Sequence, residues 1–379
     1  DVNFNFISDK NLTLINSVRT NYQGMSISNG SISLKKNKEI EIEGKFNSQF
    51  NLNENITNKL FSKFNLNFLK KNKINIQGDL LHKFKLKVDE NFKLIDYDYH
   101  SSGNILDSRI HLKDYFKTRF FTKPIKNISI LKTNIEINLN KKEKRHLLFN
   151  GFYNLGGLEN KKFKFSFDLN KKNPKYLFDF DLSENIRLEL INYKTDNKSQ
   201  GNIKSEINLT NNNIIFNNIN FTEGKNSISV NNLILNKKKE IESISDISVL
   251  TFIDNKENNN FKINSKKKIF VTGKIFDTTF LLDQLSNNRK KNVLKNFTKE
   301  IEIKLDNLKT KSQIPLNDFH LLGFIHKGEF EKISAKSEFS KKEYLDISLK
   351  KDDNNKKILE IYSDLPQALL ADYKFFDGI

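Results

Sequence analysis

Chemistry at a protein site needs His, Cys, Asp, Glu or Ser at particular spacings, and in this chain those residues are scattered. There is no cysteine, so disulfides and thiolate chemistry are excluded. The six histidines are His82, His100, His111, His146, His320 and His326, and no two form a helical His-Glu-x-x-His pair. The best local metal candidate is Asp96-Tyr97-Asp98-Tyr99-His100. In a strand Asp96, Asp98 and His100 would share one face as a possible divalent-metal set. The same alternation turns Tyr97 and Tyr99 inward and leaves the trio as a solvated outer face, which is the reading adopted here; no metal or other cofactor is expected. Gly151 to Gly157 lacks the Gly-Lys-Ser/Thr ending of a phosphate loop and reads as a hairpin turn. No Gly-x-Ser-x-Gly elbow is present, and no catalytic residue is expected. Asn-x-Ser/Thr triplets at Asn11, Asn127, Asn208 and Asn296 are expected by chance in so Asn-rich a chain.

The elements that would carry such residues are strands. Phe163, Phe165, Phe167 and Leu169 interleave with Lys164, Ser166 and Asp168. Phe178, Phe180 and Leu182 interleave with Asp179 and Asp181, and Ile301, Ile303 and Leu305 with Glu302, Lys304 and Asp306. Alternation of period two gives each strand one apolar and one polar face. The fold expected is mainly β: a long curled antiparallel sheet, forming a groove, with a few short helices. Strand-like segments recur throughout, with candidate turns at Asn29-Gly30, Gly103-Asn104, Gly156-Gly157 and Asp352 to Asn355. Some 20–25 strands at about 4.8 Å each would make a sheet on the order of 100 Å long. Open twisted sheets rarely exceed about 10 strands without curling or splitting, so this one has to curl, fold over or divide. Helical spacing interrupts the alternation in three places, 53–64, 278–297 and 365–376.

Lys and Arg number 64 against 46 Asp and Glu, a net charge of +18. Such a surplus attracts nucleic acid or anionic headgroups. Yet Glu39, Glu41 and Glu43 share strands with the lysines, and Lys, Asn, Ile and Phe all have AT-rich codons, so no basic stripe emerges and no nucleic-acid partner is expected. In Phe84-Lys85-Leu86-Lys87 the aromatic and the lysines face opposite ways, whereas single-strand binding needs them together. No apolar run approaches the roughly 18 residues that a membrane-spanning helix requires. The chain opens on strand-like residues without an initiator Met, and the expectation is a fragment whose targeting or anchoring segment lies outside it. Weak divisions near Pro124 and 254–268 suggest three segments, 1–125, 126–262 and 263–379.

Residues 269–379 resemble the AsmA-like superfamily of bacterial envelope proteins, in particular the C-terminal unit of its long YhdP/TamB-type members. The resemblance rests on a strand closing on Gly273, then Phe276-Asp277, Leu281-Leu282, and the alternating stretch Ile301 to Leu308. Strands follow around Phe319 to His326, Ile333 to Phe339 and Leu345 to Leu349. Its most specific part is Leu359-Glu360-Ile361-Tyr362-Ser363-Asp364, then Ala368-Leu369-Leu370 and Tyr373 to Gly378. Pro366 and Gln367 depart from the family's small residue and Gly, and its closing Gly-Gly is absent. Residues 130–268 are similar in pattern only. The resemblance implies a periplasmic protein, tethered to the inner membrane of a Gram-negative bacterium, whose apolar groove conducts phospholipid toward the outer membrane. The partners it implies are phospholipid acyl chains and, through a segment outside this chain, the inner membrane. The groove lining would then be Phe163, Phe165, Phe167, Phe178, Phe180, Leu182, Ile301, Ile303 and Leu305. Two alternatives stay open: an outer-membrane β-barrel and a non-catalytic envelope scaffold of β-sandwiches.

Overall fold

The computed structural model describes residues 2–63, 72–117, 124–141, 145–157, 159–168, 173–182, 184–196, 199–281, 297–311, 314–340 and 342–366. The chain divides into two compact units, 1–184 and 185–379. Position 125 lies inside the first and position 263 inside the second.

The first unit is a meander. Its strands are β1 (Val2–Ser8), β2 (Leu12–Tyr22), β3 (Met25–Lys36), β4 (Ile40–Leu52), β5 (Lys73–Val88), β6 (Leu94–Phe116), β7 (Ile125–Asn140), β8 (Arg145–Asn154), β9 (Lys161–Asp168) and β10 (Lys175–Asp181). Each pairs antiparallel with the next. Among the described residues no pairing returns from β10 to β1, so this unit is an open curled sheet and not the closed ring that a barrel requires. The expected helix at 53–64 is α1 (Glu54–Lys63), with the Asn53 side chain accepting the Ile56 amide at 3.2 Å as its cap.

Curling comes from bulges and glycines. Ser17, Asn29 and Lys132 have positive φ in the middle of strands, at 56°, 52° and 44°, and each sits where the register slips. A bulge adds twist and switches which residues face inward. In β3 the inward set changes from Met25 and Ile27 to Ile32 and Leu34 across Asn29-Gly30. That dipeptide is therefore a bulge within a strand, not the expected turn, and Gly103-Asn104 likewise lies inside β6. The turns expected at Gly156-Gly157 and Asp352 to Asn355 do separate strands. Gly44 lies directly opposite Phe84, whose ring covers the space a Cβ would fill. Gly78 lies opposite Phe50, and a Cβ there would be 2.7 Å from the Phe50 ring. A ring lying flat on glycine backbone lets the apolar face bend without a gap.

The second unit opens with a short hairpin, β11 (Arg187–Leu188) and β12 (Tyr193–Lys194), around the 3-10 turn Glu189–Ile191. Twelve strands follow: β13 (Gly201–Leu209), β14 (Asn213–Glu223), β15 (Asn226–Asn236), β16 (Ile241–Ser243), β17 (Asp246–Ile253), β18 (Lys256–Asn264), β19 (Ile269–Asp277), β20 (Lys299–Lys309), β21 (Leu316–His326), β22 (Glu329–Ser340), β23 (Glu343–Lys351) and β24 (Lys357–Ser363). All their pairings are antiparallel except one: β19 and β20 run parallel, with Val271 beside Ile303 and Gly273 beside Leu305. The sheet is thus antiparallel, as expected, apart from this one parallel pair. A parallel pair needs a crossover of a dozen or more residues. Residues 278–298 supply it; of the helix expected there, 282–296 lie outside the described residues. Most of the helix expected at 365–376 also lies outside them.

On the outer face of this junction Glu302 is held by Lys268 and by Lys304, the latter at 2.6 Å. The two ammonium groups pull its carboxyl down to about 2. Facing charges in the first unit do similar work: Lys85 meets Glu43 at 2.6 Å and Lys87 meets Glu41 at 3.0 Å. Such exposed pairs add little stability singly, but they keep this face in water and favour one register.

The bend at Gly44 generates a prediction. Gly44→Ala should cost about 1–3 kcal/mol in urea unfolding, because its methyl group meets the Phe84 ring. In a Phe84→Ala background the same change should cost much less. Additive losses would contradict a direct glycine–ring contact.

Candidate functional site

The registers join the inward residues of the first unit into rows that cross the strands. One row runs Ile27, Ser48, Leu80, Gly103, Ile135, Phe149, Phe165, Phe178, one residue from each strand β3 to β10. Its neighbour runs Phe46, His82, Ser101, Ile137, Leu147, Phe167, Tyr176. Eight strands at about 4.8 Å make such a row roughly 34 Å long. That exceeds one leaflet of hydrocarbon, about 15 Å, half the core of a bilayer.

These rows are sealed only in part, at Ser48, Ser101 and Ile135. Leu80, Phe149, Phe165, Phe167, Phe178 and Phe180 all keep part of their surface in water. Inner residues of a sandwich interdigitate with a second sheet and lose that exposure. Among the described residues of this unit six apolar ones are buried: Leu52, Ile74, Val88, Ile125, Ile135 and Phe163.

Aromatic contacts hold the β8–β10 end of the face. Phe165 packs on Phe178 at 4.4 Å and Phe167 on Tyr176 at 5.2 Å between ring centres. Phe163 stacks with Phe180 at 5.9 Å, and Tyr153 edges onto both. The Tyr153 hydroxyl donates to the Asp181 carbonyl at 2.6 Å. Aromatic pairs contribute about 0.5–1.5 kcal/mol each beyond area burial, which helps to order these strands without a covering layer. Five of the nine residues expected to line a groove, Phe163, Phe165, Phe167, Phe178 and Phe180, are brought together here. Leu182 follows β10 and is half-buried.

The other three lie in the second unit, in different surroundings. Leu305 is 3% exposed and belongs to a buried cluster with Val249, Phe261, Val271, Phe319 and Leu345. Ile303 packs against that cluster, and Ile301 is half-buried on the same face. Ile191, from the hairpin turn, and Leu365 also pack against it. A polar network fastens the hairpin. Asn259 donates to the Ile191 carbonyl at 2.6 Å, Asn258 to the Asn192 carbonyl at 3.0 Å, and Asn192 to Asp277 at 3.0 Å. The Tyr193 hydroxyl donates to Glu223, whose other oxygen accepts the Asp196 amide at 2.9 Å. Burial and that carboxylate push the phenol well above its usual range.

Sequence reading missed one feature of the first unit's inner face, a polar group on apolar parity. His82 Nε2 lies 2.7 Å from Ser48 Oγ and its Nδ1 2.7 Å from Tyr99 Oη; Ser101 Oγ is 3.3 Å from Nδ1. Its ring stacks on Phe46 at 4.4 Å. Ser48 is 2% and Ser101 0% exposed, so both depend on such partners. The signal was present: Ser48, His82 and Ser101 each stand at an apolar position of neighbouring strands. By contrast Asp96, Asp98 and His100 lie on the outer face opposite Lys87, Lys85 and Lys83, and His100 pairs with Asn138 at 2.5 Å. Three lysines facing the trio disfavour a cation there.

Burial lowers the pKa of His82 below its usual 6.5. The unfolded chain therefore takes up this proton at a higher pH than the folded chain, and stability falls as pH drops through about 6.5. Between about pH 7.5 and about pH 5.5 the native protein should lose more stability than His82→Gln in chemical denaturation. Equal losses would place His82 in water. No protein-family model matches this chain, and no curated protein matches it.

Proposed function

We propose that the inner face of the first unit binds lipid acyl chains, and that the protein is a lipid-conducting component of a bacterial envelope rather than an enzyme. The observation that carries this reading is the contrast between the two units. The second unit holds a buried apolar cluster around Leu305 with the hairpin residue Ile191 packed against it, while the first leaves apolar rows across eight strands partly in water. Exposed apolar patches beyond a few hundred Å² are uncommon in monomers unless they bind something. Hydrocarbon suits the rows, because they are continuous and mostly without polar groups. A periplasmic location and an inner-membrane tether follow from the resemblance of residues 269–379 and belong to the same proposal. Among the described residues no helix is long and apolar enough to cross a membrane, so the tether would lie elsewhere. The lining set is narrowed to the first unit: Phe165, Phe167, Phe178 and Phe180, with Leu80 and Phe149, while Phe163 is buried against Tyr153 and Phe180.

Two substitutions test the reading against a plain core. Phe165→Asp places a carboxylate where water reaches it, so the circular dichroism spectrum should survive while phospholipid recovered with the protein falls sharply. Leu305→Asp strands a carboxylate in a dry cluster, at a cost of several kcal/mol, and should unfold the second unit. A folded Phe165→Asp protein carrying its full complement of lipid would refute the proposal.

A further inference from the structure

Arg145 is the first residue of β8 and stands on the inner, apolar parity, opposite Leu139, which is itself opposite Tyr99. Its side chain is half-buried, and Nη2 donates to the Tyr97 hydroxyl at 3.2 Å. A guanidinium has five N–H donors, and among the described residues this is its single hydrogen bond. Among the described residues no carboxylate lies within 4 Å of it. A partly dehydrated cation without an anion is costly, and most charged groups that leave water are paired. The nearby lysines give no such contrast: Lys85 and Lys87 are on the outer face, each with its glutamate. Arg145 therefore joins a positive charge, unmatched among the described residues, to the edge of an apolar face. Phe84, Tyr99 and Leu139 lie in its row, and Tyr97 beside it offers a second hydroxyl.

We infer that Arg145, with Tyr97, binds the phosphate of a lipid headgroup at the rim of the first unit's inner face, the acyl chains lying along the rows beyond it. The inference rests on the acyl-chain reading and adds the headgroup chemistry. Phosphate suits the planar fork of a guanidinium, which can offer it two parallel donors. The geometry also orders the ligand: the charged end sits where β8 begins, and the hydrocarbon extends over Leu147 and Phe167 toward the aromatic end of the face.

The test uses the whole chain and two water-soluble short-chain lipids that differ only in the phosphate, dihexanoyl phosphatidic acid and dihexanoyl glycerol. Binding is read by equilibrium dialysis, and folding by circular dichroism. Arg145→Met keeps the stem and removes the fork. It should weaken phosphatidic acid about tenfold or more while leaving the diacylglycerol unchanged. Lys83→Met removes the same charge from the outer face and should change neither. Because the net charge is +18, this control separates a site from general attraction. Unchanged phosphatidic acid binding in Arg145→Met would overturn the inference, and so would an equal loss of both lipids. Inorganic phosphate displacing the lipid at equal concentration would make this a site for free phosphate and overturn the lipid assignment. If the native chain bound both lipids equally, the headgroup site alone would fall. If it bound neither, the acyl-chain reading would fall with it.

Discussion

A β-strand of period two has an apolar face that must be removed from water, and everything else in this protein depends on how each unit does that. The polar face looks after itself through lysines opposite glutamates and through the solvent. The apolar face cannot. In the second unit a hairpin is drawn over part of it and fastened by Asn258, Asn259, Asn192 and Asp277. The network satisfies buried polar groups while the turn delivers Ile191 to the cluster around Leu305. In the first unit no comparable buried cluster forms among the described residues. Rings instead pack edge-on and face-on along the surface, from Tyr153 to Tyr176, and remain accessible.

Much of this was legible in the sequence. Alternation in 161–168 and 175–181 gave both the strands and their inward sets, and Phe165 does face Phe178 across the pair. The helix expected at 53–64 was legible from the spacing of Ile56, Leu60, Phe61 and Phe64, and its described part is Glu54–Lys63. The bulges were not. Ser17 and Lys132 adopt positive φ without the glycine or Asn-Gly signature that usually marks it, because the pairing on either side compensates for the local strain. Where the signature was present, at Asn29-Gly30, it suggested a turn, since the same dipeptide serves both purposes. The parallel pairing of β19 with β20 also left no local trace. Strand direction is set by the connection, not by residues within the strand.

The site was half legible for a related reason. Apolar parity identifies a face but does not say whether anything covers it, so Phe165 and Leu305 looked alike in sequence and differ in surroundings. The polar residues of the inner face, Ser48, His82, Ser101 and Arg145, stand on apolar parity in their own strands. Their common face depends on register across five strands, β4 to β8, which alternation alone does not fix.

The central claim is that the first unit's inner face is open to hydrocarbon and the second unit's core is not. The most direct measurement is photo-crosslinking with a phospholipid bearing a diazirine near the end of one acyl chain, followed by peptide mass spectrometry of the purified protein. Adducts concentrated on the peptides that contain Leu80, Phe149, Phe165 and Phe178, with none on those around Leu305 and Phe319, are the expected result. Adducts spread over the outer-face lysines, or labelling of the Leu305 cluster in preference to the first unit, would contradict it.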